Sequence, residues 1–207
     1  MLLLFGMRAR SKTIDEGTFY CSREGGDRPY QRKSSRRWFT VFFIPVLPLG
    51  ELGEFIECAS CGSTYFPSAL DNPTSGEIHD ATTIAIRHVV VAMLLADGEV
   101  DPNERSAALS VVARYASAPY RDDDLARDLA ELSPDDLDGH LRELAMLMNE
   151  HGRENVLTSA VYLAGSDGTV DTVELALARS IGRTLTMSSA HIEGTVQQEL
   201  ARLGLSN

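Results

Sequence analysis

The chain has 207 residues and a formal net charge of −11, which is room for one large domain or two modest ones. The charge is uneven: residues 1–67 carry nine Lys/Arg and seven Asp/Glu, a balance of +2, while residues 68–207 carry ten and 23, a balance of −13. The asymmetry predicts two domains with different partners, and the acidic part should repel nucleic acid and anionic membranes and attract cations.

The segment from Met1 to Gly6 has no leading positive charge, too short an apolar run and no convincing cleavage site, so it does not read as a signal peptide. No stretch reaches the ~20 apolar residues of a membrane-spanning helix. All three cysteines, Cys21, Cys58 and Cys61, lie in the N-terminal part. Three is a poor number for a disulfide framework, and Cys58-Ala59-Ser60-Cys61 has metal-knuckle spacing, which favours a reducing compartment. The expected location is the cytoplasm.

The N-terminal domain is expected over residues 1–70. Thr18-Phe19-Tyr20 reads as a short strand leading into Cys21, followed by Gly25-Gly26 and a basic stretch over residues 28–37. Trp38-Phe39-Thr40-Val41-Phe42-Phe43-Ile44 is rich in β-favouring residues and is broken by Pro45, Pro48 and Gly50. Glu54-Phe55-Ile56-Glu57 alternates polar and apolar and enters the Cys58 knuckle, after which comes Thr64-Tyr65. This is the pattern of a zinc ribbon, β-hairpins pinned by cysteine knuckles.

Phe5-Gly6, Phe19-Tyr20-Cys21, Arg37-Trp38-Phe39-Thr40, Phe42-Phe43-Ile44-Pro45 and the Cys58–Cys61 knuckle together resemble a small bacterial zinc-ribbon domain. The resemblance implies a first Cys-x-x-Cys knuckle as well, but Cys21-Ser22-Arg23 is followed here by Glu24. The implied zinc ligands are therefore Cys21, Cys58 and Cys61, with Glu24 offering a carboxylate oxygen in fourth place. A closed structural site prefers thiolate or imidazole there, and this segment has no histidine.

Residues 31–38 set basic side chains beside an aromatic, as a nucleic-acid surface does. A balance of only +2 in an acidic chain favours instead a solvated hairpin loop that leads into a buried strand, so nucleic acid is not an expected partner. The apolar run over residues 39–49 is expected as ribbon core. Its alternative is an exposed patch that contacts a membrane surface or a protein.

Residues 71–77 form a breaker-rich linker, and over residues 78–207 the apolar period becomes helical. Residues 80–96 are apolar on nearly all sides, which predicts a central buried helix. A second helix starts at an Asp101 cap and runs to about residue 117, and a short acidic one follows Tyr120 with Asp122, Asp123 and Asp124 at its start. Ser133-Pro134 opens a fourth, with Leu137, Leu141, Leu144 and Met148 on one face, ended by Gly152. A fifth covers residues 153–166, a sixth opens at Asp171, and a seventh opens at Ser188-Ser189 and closes at Gly204. Seven helices with short joints predict one all-α domain.

Two of those joints are copies. Asp97-Gly98-Glu99-Val100-Asp101-Pro102-Asn103-Glu104 and Asp167-Gly168-Thr169-Val170-Asp171-Thr172-Val173-Glu174 agree at five of eight positions, 70 residues apart. The internal two-fold repeat makes each octet the turn between two helices. Asp101 and Asp171 read as N-caps and Glu104 and Glu174 as their capping-box partners. Asp97 and Asp167 then lie at helix C-termini, where the backbone dipole disfavours a negative charge. Three carboxylates on a tight turn also suit a hard cation such as Ca²⁺ or Mg²⁺, although the spacing is not that of an EF-hand. Capping and cation binding both remain open.

Seven helices with paired Asp-Gly-x-Val-Asp-x-x-Glu joints resemble the TerB-type domain, named for a bacterial tellurite-resistance protein, over about residues 78–207. The resemblance implies a cytoplasmic, non-enzymatic helical module associated with metal binding and stress responses. Carried over by position, its candidate metal residues are Asp97, Asp101 and Glu104, then Asp167, Asp171 and Glu174. Glu99 is a weaker candidate, since Thr169 stands in its place in the second copy.

There is no phosphate-binding glycine loop, no His-Glu-x-x-His and no Gly-x-Ser-x-Gly elbow, so no catalytic motif is recognised. Asp136, His140 and Glu143 share a helix face, which reads as a solvated charged face. The expectation is thus an α+β two-domain chain: a small β zinc-ribbon-like module, then an all-α seven-helix domain. It is expected to act as a cation-binding adaptor for an unidentified protein partner.

Overall fold

The computed structural model describes residues 5–42, 44–96, 100 and 102–205. Contacts divide it into two units, Met1–Gly76 and Glu77–Asn207.

In the first unit β1 (Phe5–Cys21), β2 (Gly26–Val41), β3 (Ile44–Cys58) and β4 (Thr64–Tyr65) form an antiparallel sheet in sequential order. The strands are longer than the local pattern predicts. Residues 31–38, expected as a hairpin loop, lie in β2, the strand between β1 and β3. The reason is the sign of their neighbours. Arg32, Lys33 and Arg36 form ion pairs of 2.6, 2.6 and 2.5 Å with Glu54, Glu57 and Glu51 of β3. Cross-strand pairs of this kind contribute roughly 0.2–1 kcal/mol each.

Nor do Pro45, Pro48 and Gly50 interrupt β3. Strand β4 pairs with β3 only at Ile56 and Glu57, so the prolines lie where β3 is an edge strand and tolerates a missing N–H. Three register shifts between β2 and β3 absorb the misfit, and Gly53, at the first of them, adopts φ 105°.

The core of this unit lies at the cysteine end. Phe19, Cys21, Ile56 and Cys58 are buried, with Tyr30, Tyr65, Ala69 and Leu70 packed against them. Phe19 makes edge contacts to Tyr65 at 5.3 Å and Tyr30 at 5.9 Å. The apolar run over residues 39–49, expected as core, is exposed at several of its described positions: Ile44, Leu47 and Leu49 are 65%, 57% and 52% exposed. A single-layer sheet buries a face only where a second layer covers it.

Among the described residues seven α-helices follow: α1 (Ser75–Leu94), α2 (Pro102–Tyr115), α3 (Asp122–Glu131), α4 (Leu137–Ala145), α5 (Glu150–Ala164), α6 (Thr172–Thr184) and α7 (Ser189–Leu203). The helical unit has one continuous core. Helix α1 buries Ile86, Val89, Val90, Val91 and Met93 on nearly all sides, as its composition predicts, and α5 buries Val156, Leu157, Ala160 and Val161. No helix among the described residues is long and apolar enough to cross a membrane.

Gly152 does not end α4. It lies in the first turn of α5 and donates its N–H to the Asn149 cap at 2.8 Å. A Cβ there would stand 2.7 Å from the Thr82 hydroxyl, so close approach to α1 fixes the glycine. The fold also buries a charge. Asp128 of α3 is 1% exposed, and its carboxylate accepts hydrogen bonds of 2.7 Å from both Arg87 Nε and the Tyr120 hydroxyl.

Candidate metal centre

Cys21, at the end of β1, and Cys58, at the end of β3, each open a tight turn of the same form. Gly25 N–H donates to the Cys21 carbonyl at 2.9 Å, and Gly62 N–H donates to the Cys58 carbonyl at 2.9 Å. Both glycines stand four residues past a cysteine and take left-handed φ, 65° and 69°. That geometry favours glycine, and Arg23 of the first turn donates to the Ser63 hydroxyl just past the second at 2.9 Å. By backbone, position 24 is therefore the counterpart of Cys61.

The turns bring three thiols together. The sulfurs of Cys21, Cys58 and Cys61 all lie within 4.8 Å of one another, and Cys21 Sγ and Cys61 Sγ are 3.8 Å apart. Tetrahedral zinc with Zn–S bonds of about 2.3 Å needs sulfurs about 3.8 Å apart, so the donor set and its spacing fit zinc. Glu24 is not part of the cluster. Its carboxylate forms an ion pair with Arg28, which draws it away although its backbone occupies the ligand position.

The thiols are electrostatically unequal. The Tyr65 hydroxyl, 3.1 Å from Cys21 Sγ, lowers the Cys21 thiol to about 7 against the opposing effect of burial, with the backbone N–H groups of Glu24 and Arg23 assisting. Burial pushes the Cys58 thiol up, opposed by the N–H groups of Cys61 and Ser60. By sequence Tyr65 is only a residue that follows the knuckle. The repeated Cys-x-x-x-Gly spacing was the available signal that the two turns match.

The second acidic joint is resolved in its own hydrogen bonds. Helix α5 ends at Ala164, so Asp167 is not at the helix C-terminus as expected but within the turn beyond it. One Asp167 oxygen accepts the Thr169 N–H and the other the Thr169 hydroxyl, both at 2.8 Å. These bonds lower its pKa, the backbone one first. Gly168 supplies the positive φ, 89°, that the turn requires. Asp171 caps α6 by accepting the Val173 N–H at 2.5 Å.

Asp97, Gly98, Glu99 and Asp101 lie outside the described residues. Glu104 of α2 and Glu174 of α6 line one small crevice with Met93, Leu94 and Leu163. Beside the second joint a groove of about 890 Å³ is lined by residues that include Gly168, Val170, Leu175, Arg179, Leu200 and Leu205.

Among the described residues, the three cysteines are the group of three or more Cys, His, Asp or Glu side chains spaced to hold a metal. Asp136, His140 and Glu143 form no such group. His140 instead packs its ring 4.6 Å from that of His88.

Residues 83–196 match the family model described as tellurite resistance protein TerB. The comparisons with curated proteins and with solved structures give no match.

Proposed function

Because the chain belongs to the TerB family, whose match spans more than half of it, we propose that it is a non-enzymatic, metal-binding adaptor of the tellurite-resistance type, acting in the cytoplasm. Zinc pins the N-terminal sheet, and the helical domain engages a protein partner. The observation that carries this reading is the convergence of three sulfurs from two matching turns to within 4.8 Å of one another, with one pair at the 3.8 Å of a zinc tetrahedron. Cys21, Cys58 and Cys61 hold the ion, and the cross-link it supplies fixes both turns. Water or a partner's side chain completes the fourth position, because Glu24 is committed to Arg28.

Cobalt(II) titration of the full chain tests this. The expected result is saturation at a single equivalent with intense thiolate-to-metal absorption. Saturation without that absorption, or no saturation, would contradict it.

A second cation site is favoured at the first acidic joint. In the second joint Thr169 satisfies Asp167 with a hydroxyl and an N–H. Glu99 occupies the matching position in the first octet and has no hydroxyl to donate. By sequence the first octet carries four carboxylates and the second three, and a higher carboxylate count favours a hard cation. In a calcium titration followed by amide NMR, saturable shifts are expected at Gly98 and its neighbours, and smaller ones at Gly168. Small unsaturated shifts throughout would leave the octets as caps alone. Asp171→Ala is expected to cost about 1 kcal/mol by urea denaturation through loss of the α6 cap, with or without calcium.

A further inference from the structure

We propose that the end of the N-terminal sheet farthest from the cysteines is a lipid-docking element, which inserts the β2–β3 hairpin into an anionic bilayer surface.

The first observation is exposure. Met7, Phe42, Ile44, Val46, Leu47 and Leu49 are each more than half exposed, from 52% to 67%. They cluster at one end of one sheet, a contiguous apolar patch of the kind that marks a binding surface. Phe42 lies in the turn itself with φ 50°, a left-handed conformation in which glycine or asparagine is unstrained and a bulky aromatic is not.

The second observation is charge. Residues 5–13, 33–42 and 44–55 contain six Lys/Arg and two Asp/Glu, a balance of +4 in a chain of net −11. Strand pairing sets Met7, Phe39 and Leu47 side by side on one face, whereas Arg10 pairs with Arg36 on the other. Arg8, Arg10, Lys12 and Arg37 are exposed, and Arg36 is exposed with Glu51 as its ion-pair partner.

Counting back from Phe42, the apolar end runs about 13 Å to Trp38 before the first cations of β2. That order suits a bilayer: aliphatic side chains at the acyl boundary, a tryptophan at the interface and cations at the anionic headgroups.

The edges argue against a second copy as the occupant. β3 carries Pro45 and Pro48 where it is an edge strand, and β1 carries Arg8, Arg10 and Lys12 at the other edge. Both features oppose strand addition, and like charge opposes self-association.

The test is flotation of the full chain with phosphatidylcholine vesicles containing about one-third phosphatidylglycerol, and with phosphatidylcholine alone. The protein is expected to float with the anionic vesicles, to lose binding at high salt, and to show a blue shift of its single tryptophan, Trp38. Ile44→Ser with Leu47→Ser should lower the bound fraction roughly tenfold or more, as should Arg10→Gln with Arg37→Gln. Since these side chains are exposed, unchanged circular dichroism should accompany the loss. Three results would overturn the proposal: no flotation with anionic vesicles, equal flotation by the Ile44/Leu47 variant, or a concentration-dependent dimer that this variant dissolves.

Discussion

Cys58→Ser is expected to leave the chain without tightly held zinc and its N-terminal sheet open to proteolysis, while the helical unit keeps its own thermal transition. The reasoning starts from how little the sheet buries. Among the described residues its core cluster has four buried side chains, two of which are the cysteines Cys21 and Cys58. A core of that size does not offset the entropy of ordering three long strands, and small domains of this kind depend on a metal or disulfide staple.

Structural zinc contributes on the order of 10 kcal/mol to folding in comparable sites. Serine keeps the shape of the side chain but replaces a soft thiolate with a hydroxyl that zinc binds weakly. The effect should appear as cleavage within β1–β3 under limited proteolysis and as loss of the thiolate–cobalt absorption. Glu24→Ala, by contrast, should change zinc affinity little, because Glu24 is already held by Arg28. A Cys58→Ser chain as protease-resistant as the parent would show that the sheet stands without metal.

Arg87→Ala is expected to destabilise the helical unit by about 3 kcal/mol, lowering its melting temperature by roughly 10 °C. The cost comes from Asp128 more than from Arg87, which is itself partly exposed. Asp128 is 1% exposed, so removing Arg87 strips a buried carboxylate of its bidentate guanidinium and leaves it the Tyr120 hydroxyl.

Burial alone would push the Asp128 pKa up, but the hydrogen bonds from Arg87 and Tyr120 outweigh it and hold it below the ordinary value. A depressed carboxylate contributes stability that is present above its unfolded pKa, about 4, and is lost as pH falls through the lower folded value. The gap between parent and Arg87→Ala should therefore be full at neutral pH and close below about pH 4. Denaturant melts across that range check both the size and the sign. A variant within about 1 kcal/mol of the parent at pH 7 would mean that water or another group compensates Asp128.

The helical unit was more legible in the sequence than the sheet, for a physical reason. Helices are specified locally, by an apolar period and by caps such as Asp171, Ser188 and Gly204, and those residues hold the expected positions. Where local reasoning failed, contacts distant in sequence decided. Gly152 looked like a helix end because its need is set by Thr82, 70 residues earlier. The Arg87–Asp128 pair spans 41 residues and leaves no periodic trace.

In the sheet, residues 31–38 looked like a solvated loop because their charge was read without the glutamates of β3 that neutralise it. Pro45 and Pro48 looked like breaks because edge position is a property of topology, not of the residue. At the candidate metal centre the Cys58–Cys61 spacing was visible in the sequence, and the structure brings Cys21 to it. The fate of Glu24 was not visible, since it depends on Arg28 reaching back across the turn.

The most direct test is native mass spectrometry of the full chain after equilibration with zinc and removal of the excess. The account predicts one zinc retained per chain and none in Cys58→Ser. A parent chain that retains no zinc would contradict it, and Cys21 and Cys58 would then be core residues with no metal role.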